Sequence, residues 1–285
     1  MSEYQVGKHR FDEEKGVHVH DVHSAFQHGA APVEVLLPSQ YEVGTPYPVL
    51  YILPVHPGIG GRWGDGLQTA RGLRIHDRYG LICVSPSFDA WPYYGAHHDD
   101  PGIRHEEFIL EALIPAVEGL YATKQVADDR LLLGFSKSGW GALSLLLRHP
   151  GVFGFAASWD APLMMSEKNF GLYETAEHFG TAEAMRGYVP AHWAKRNARY
   201  FQRDPRLAVL GRNFFGTRWL HDLPHTWRFH RLLDKLGIQH LYDNSIRVPH
   251  TWNPAWMQPA VQKLMCMTAG SARSGRLRAV DGVDL

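Results

Sequence analysis

Short continuous apolar runs alternate along this chain with longer stretches whose apolar residues recur every three to four positions. The runs are YPVLYILPV (47–55), GLICVSPS (80–87), RLLLGF (130–135), FGFAASWD (153–160), RLAVLG (206–211) and QHLYDN (239–244). Runs of this length without alternation suit strands covered on both faces. The stretch HVHDVHSAF alternates, and PVEVLLP follows it after a Gly/Ala/Pro break, so 16–37 reads as two antiparallel-type strands at one edge. Helical spacing appears around 67–78, over 104–121 (Phe108, Ile109, Leu113, Ala116, Val117, Leu120) and after residue 136. It returns at Phe229, Leu232, Leu233 and Leu236, ending at Gly237, and in a final helix to about Met267. Residues 161–205 show no strand pattern and read as a helical insertion, or lid, after the strand that ends at Asp160. Strands alternating with helices predict an α/β protein with a mostly parallel sheet and helices on both faces. The expected organisation is one domain over 1–267 and a disordered, small and charged tail over 268–285.

Composition narrows the possible functions. Of 285 residues, 45% are hydrophobic and 20% charged, which fits a globular chain. The 29 basic and 29 acidic side chains cancel, so there is no basic field for nucleic acid or an anionic membrane. No apolar run reaches the roughly 18 residues of a membrane span, and the first residues lack the apolar core of a signal peptide. A cytoplasmic location is therefore expected. The two cysteines, Cys83 and Cys266, both lie in apolar stretches and read as small hydrophobes. The 18 histidines and 9 tryptophans are the unusual counts.

In open α/β sheets, ligands bind beyond the carboxyl ends of the strands, so reactive side chains are sought there. Gly134-Phe135-Ser136-Lys137-Ser138-Gly139 lies between a strand and a helix. That is the nucleophile-elbow pattern, in which small residues let strand and helix approach while the turn lifts the serine hydroxyl above the sheet. The N–H of the following residue, Lys137, then faces a developing oxyanion. A serine needs a base, and the base needs an orienting carboxylate. His250, in Val248-Pro249-His250-Thr251-Trp252 after the last strand, stands where the base belongs. Asp160, at a strand end, is the first candidate acid. Asp222 in His221-Asp222-Leu223-Pro224 is the alternative acid, although it also reads as a helix N-cap. The second oxyanion donor falls within His56-Pro57-Gly58. Pro57 has no N–H, which leaves His56, Gly58 or a neighbour. Arg62, Trp63, Trp91, Tyr93, Tyr94 and Trp159 are candidate pocket residues. No cofactor and no metal are expected, and the oligomeric state is open.

These stretches resemble the serine esterase family of the α/β-hydrolase fold, which includes feruloyl esterases, S-formylglutathione hydrolases and mycolyltransferases. The resemblance rests on PYPVLYILPV (46–55), LLLGFSKSGWGALSLLLRHPGVFG (131–154), SWDAPL (158–163) and GIQHLYDN…VPHTWNPAW (237–256). It implies hydrolysis of a small-molecule ester, or acyl transfer, with Ser136 as nucleophile and His250 as base. The chain departs from the family's pattern at Pro57, Lys137 and Ser138. Two other readings are weighed against it. The His18-Val19-His20-Asp21-Val22-His23 stretch, with His97-His98-Asp99-Asp100, suggests a metal-dependent hydrolase, but His23 falls on the opposite strand face from His18 and His20. A non-catalytic binding member of the fold is the third reading.

Overall fold

The computed structural model describes residues 4–58, 60–211 and 224–274. Asp222 lies outside them. Among the described residues nine strands form one sheet: β1 (Tyr4–Asp12), β2 (Val17–Ser24), β3 (Ala30–Leu36), β4 (Val49–Leu53), β5 (Ile82–Pro86), β6 (Arg130–Phe135), β7 (Phe155–Trp159), β8 (Leu207–Leu210) and β9 (His240–Asp243). The spatial order is β1-β2-β3-β5-β4-β6-β7-β8-β9. The first four strands in that order pair antiparallel, and all later neighbours pair parallel. The sequence reading missed β1. Its residues YQVGKHRFD are largely exposed, so this edge strand carries little apolar signal and is held by its ladder to β2.

Strands β4 to β8 are buried throughout apart from Arg130 at the start of β6, as their unalternating apolar runs require. Helices cover both faces. On one side pack α1 (Gly66–Gly72), α2 (Ile75–Tyr79) and α10 (Pro254–Ser274), burying Leu67, Ile75, Trp256 and Leu264 against Leu50, Ile52, Leu133 and Ala157. On the other side lies the stretch predicted as one helix over 104–121. It is α3 (His105–Glu107), a π-helical turn (Phe108–Leu113) and α4 (Ile114–Leu120) in succession. With it pack α5 (Ser136–Arg148) and α9 (His225–Lys235).

Between β7 and β8, residues 161–205 hold α6 (Thr175–Phe179), α7 (Ala182–Arg186) and α8 (Pro190–Asn197), flanked by 3-10 turns. The segment buries Leu163, Phe179, Met185 and Phe201 in the same core as α5, so it is packed on the body of the protein. The final helix does not stop near Met267 but continues to Ser274, and residues 275–285 lie outside the description. The side chains at β2 confirm the alternation: Val22 joins one core and Val17 and Val19 the other. No helix among the described residues is long and apolar enough to cross a membrane.

Candidate active site

Ser136 follows directly on β6 and opens α5. Its φ is +53°, in the left-handed region that a serine rarely adopts. The strain is held in place by glycines on either side. A Cβ on Gly134 would sit 2.1 Å from the Ser138 carbonyl oxygen, and one on Gly139 would sit 2.5 Å from Ser158 Oγ and 2.8 Å from Ala161 Cβ. The close approach thus falls on Gly139, one residue later than the usual pattern, and Ser138 has another task. Its buried hydroxyl donates to the Phe135 carbonyl at 2.8 Å and accepts the Phe135 N–H at 2.9 Å, closing the turn.

His250 lies in the segment between β9 and α10. Its Nε2 is 3.1 Å from Ser136 Oγ and its Nδ1 is 2.7 Å from Asp160 Oδ2. The ring packs on Phe135 (4.5 Å between centroids) and meets the edge of Trp63 at 5.3 Å. Trp252 N–H donates to the Trp63 carbonyl at 2.8 Å, tying the histidine's loop to the loop after β4. Asp160 comes from the end of β7, the neighbour of the strand that carries Ser136. It too has positive φ, +46°, and its amide donates to Leu210 O at 2.9 Å. The side chain is buried except for its contact with the imidazole. Residues far apart in sequence therefore form one hydrogen-bonded line, Asp160–His250–Ser136, at the carboxyl end of the sheet.

The oxyanion candidates separate. Lys137 supplies the second amide of α5, at a helix end whose first N–H groups have no partners within the helix. Gly58, however, donates its N–H to the Phe88 carbonyl at 2.8 Å, so it is committed elsewhere and the expectation for it is corrected. His56 remains. Its ring lies 5.0 Å from Trp91, and burial, then the charges of Lys137 and Arg62, hold it below the ordinary histidine pKa.

The predicted pocket aromatics divide in the same way. Trp63 and Trp91 are half-buried at the mouth, and Arg62, exposed, stacks on Trp63 at 4.4 Å. Tyr93, Tyr94 and Trp159 are fully buried and cannot line an open mouth, which corrects that reading. Tyr93 donates to Tyr173 O and Tyr94 to Pro54 O, both at 2.5 Å, while Trp159 stacks on Phe135. The two tyrosines thereby tie the loop after β5 to the backbone at Tyr173 and Pro54, and Trp159 packs across strands β6 and β7.

Sequence reasoning also missed Glu174. This residue, at φ +62° beside Tyr173 at φ +53°, ion-pairs with Lys137 at the mouth. Lys137 lies across Trp91, 4.1 Å from the ring centre. Burial lowers its pKa and Glu174 partly restores it. Nothing near Glu174 in the sequence marks it, because its partner is 37 residues away.

The histidine clusters have local explanations. His18 Nδ1 meets His9 Nε2 at 3.1 Å, and His20 Nε2 meets the Tyr121 hydroxyl at 2.6 Å. His97 Nδ1 accepts the amides of Asp99 and Asp100, each at 3.0 Å, and so caps its own turn.

The strand order, the strained serine after a central strand and the histidine after the last strand define an α/β-hydrolase fold. Solved structures agree on that fold. A ferulic acid esterase matches 94% of this chain and 99% of its own, with a TM-score of 0.65 and 16% identity. An S-formylglutathione hydrolase from Agrobacterium tumefaciens matches 93% and 99%, with a TM-score of 0.69 and 14% identity. Mycobacterium tuberculosis MPT51 (FbpC1) matches 92% and 98%, with a TM-score of 0.62 and 16% identity. The chain belongs to the Esterase family, described as "Putative esterase", whose model matches residues 25–213. "Esterase Rv1288" of M. tuberculosis is 33% identical over 147 residues, which is 49% of this chain and 31% of the relative. The match thus spans about a third of that curated relative's length.

Proposed function

We propose that this protein is a serine carboxylic ester hydrolase that works through an acyl-enzyme on Ser136. The observation that carries the proposal is the unbroken line from Ser136 Oγ to His250 Nε2 (3.1 Å) and from His250 Nδ1 to Asp160 Oδ2 (2.7 Å). Family membership supports the same reaction class.

Ser136 Oγ attacks the ester carbonyl carbon while His250 Nε2 takes the hydroxyl proton. Asp160 accepts the Nδ1–H bond, which keeps the Nε2 lone pair on the serine and stabilises the imidazolium once it forms. The carbonyl oxygen becomes an oxyanion against the Lys137 amide, with a second donor from the loop after β4, where His56 is the named candidate left. Collapse expels the alcohol, which takes its proton from His250. Water then enters, gives a proton to His250, and its oxygen attacks the acyl carbon. Ser136 regains its proton and the carboxylic acid leaves. The strained φ of Ser136 fixes its hydroxyl in this position before substrate arrives, so no reorganisation is needed in the reaction itself.

The wall of the site suits a small ester with an aromatic or otherwise flat group lying between Trp63 and Trp91. Lys137 is neutralised by Glu174, so Lys137 itself does not draw an anion to the mouth. The segment 161–205 acts as a lid in the limited sense that Glu174 closes one side of the mouth. The described residues serve as one domain that runs to Ser274, because α10 packs on the sheet and continues past Met267.

The Ser136→Ala variant tests the reading. It is expected to lose essentially all turnover of a nitrophenyl ester, and labelling by a fluorophosphonate, with an unchanged melting temperature. Turnover within tenfold of the native protein would exclude Ser136 as nucleophile. Adding a competing alcohol and measuring the ester product distinguishes water from another acyl acceptor.

A further inference from the structure

A second cluster sits at the opposite end of the sheet. His230 and Asp234 lie one turn apart on α9, on one helix face. The turn through Gly237, at φ +68°, brings the chain back so that His240 opens β9 beside them. His230 Nδ1 is 2.8 Å from His240 Nε2, and Asp234 oxygens lie 3.4 Å from His230 Nε2 and 4.0 Å from His240 Nε2. One ligand atom from each residue falls within 4.8 Å of the others, and among the described residues this group alone does so. His240 pairs with Leu207 at the start of β8, whereas Asp160 follows the end of β7. The cluster is therefore outside the catalytic mouth.

The surroundings orient these side chains. His240 Nδ1 donates to the Ile238 carbonyl at 2.8 Å, which leaves the Nε2 lone pair facing the cluster. A backbone acceptor on the far nitrogen is the usual support of a metal-ligating imidazole. His230 stacks flat on Tyr242, with centroids 4.1 Å apart and planes 4° apart. Asp234 is 44% exposed, which leaves one side open to water.

We propose that His230, Asp234 and His240 form a site for a divalent transition-metal cation, best suited to Zn²⁺, with water in the fourth position. Two imidazoles and one carboxylate match zinc's donor preference, and the set has too few oxygens for Ca²⁺ or Mg²⁺. Tetrahedral ligands at about 2.05 Å from zinc sit roughly 3.3 Å apart. With His230 Nδ1 and His240 Nε2 as ligands, the 2.8 Å between them must widen by about half an ångström. Asp234, which faces His230 Nε2 and lies 4.0 Å from His240 Nε2, must swing towards the Nδ1 side and close in by about 0.7 Å. Arg231, 3.9 Å from Asp234 and largely exposed, competes for the carboxylate and gives way. The bound ion ties the edge strand β9 to α9, where a free edge is otherwise held by one neighbour.

The test uses chelator-treated whole protein, titrated with Zn²⁺ by calorimetry and with Co²⁺ by absorption. The native chain is expected to bind one equivalent with a dissociation constant below about 10 μM. The melting temperature should rise by about 5 °C at a hundredfold excess over that constant. Asp234→Asn and His240→Gln are expected to weaken binding at least about tenfold and to keep ester turnover, which reports that the fold is intact. His18→Gln, in the N-terminal histidine group, is expected to bind as the native chain does. Binding weaker than 10 μM, binding unchanged in His240→Gln, or binding lost in His18→Gln would overturn the proposal.

Discussion

Replacing Asp160 by Asn separates the two candidate acids. The backbone at this position has φ +46°, which asparagine tolerates well, so the substitution changes chemistry and leaves the turn intact. At 2.7 Å from His250 Nδ1, the carboxylate can only accept, and so it holds the Nδ1–H tautomer. An amide there can present its NH₂ group. Nδ1 then becomes the acceptor, Nε2 carries the proton, and the imidazole can no longer take one from Ser136. The charge matters as well. A carboxylate and an imidazolium about 4 Å apart attract by about 4 kcal/mol at an effective dielectric of about 20, or about three decades in rate. With the tautomer error added, kcat should fall by about 10⁴-fold, equivalent to about 5.5 kcal/mol, with KM nearly unchanged. The assay is nitrophenyl ester hydrolysis across pH 5–9, with Asp222→Asn measured in parallel. The second variant is expected to stay within about threefold, because Asp160 already occupies His250 Nδ1. An Asp160→Asn enzyme that keeps more than a tenth of its activity, or an Asp222→Asn enzyme that loses more, would refute the assignment.

Other outcomes follow from particular contacts. Glu174→Gln should free the Lys137 ammonium and raise kcat/KM for an ester bearing a carboxylate relative to its neutral analogue, by up to about tenfold, with the gain falling as salt rises; an unchanged ratio would show that the pair does not govern selection. Gly141→Ala places a Cβ 2.0 Å from the Tyr94 ring and should cost about 1–3 kcal/mol or more in urea unfolding, whereas Gly119→Ala in α4, where a Cβ meets open space, should stabilise by about 0.5–1 kcal/mol. Acid should destabilise the protein earlier than its carboxylates require. Burial pushes His20 down to about 4 and His178 down to about 3, so between pH 6.5 and those values the unfolded chain binds more protons and stability falls as pH drops. Urea midpoints measured from pH 7 to pH 4.5 should show that slope, and His178→Phe should lessen it.

Much of this architecture was legible in the chain. The continuous apolar runs of β4 to β8 could only be strands covered on both faces, and their alternation with helical stretches dictated a parallel sheet. The small residues around Ser136 and the placement of His250 after the last strand located the nucleophile and base candidates, because strand ends and turn chemistry are local properties. Asp160 was also visible as a carboxylate at a strand end, and the choice over Asp222 rested on that position and on the N-cap reading of Asp222, not on any contact with His250. β1 escaped notice because an exposed edge strand is held by backbone hydrogen bonds and needs no apolar pattern.

What the tertiary structure decided was everything that depends on two distant segments meeting. The 2.7 Å bond between Asp160 and His250 spans 90 residues. The loss of Gly58 as an oxyanion donor depends on a carbonyl 30 residues later, that of Phe88. Composition could not separate Trp91, which lines the mouth, from Trp159, which is buried beneath it, since burial is set by which loops pack above a ring. The histidines divide similarly. His250 was marked by its place in the strand order, whereas His230 and His240 acquire their meaning only because the turn at Gly237 folds β9 back along α9. A sequence specifies strands, turns and reactive side chains through local periodicity; the distances between those side chains, on which chemistry depends, are set only when the sheet closes and its loops pack.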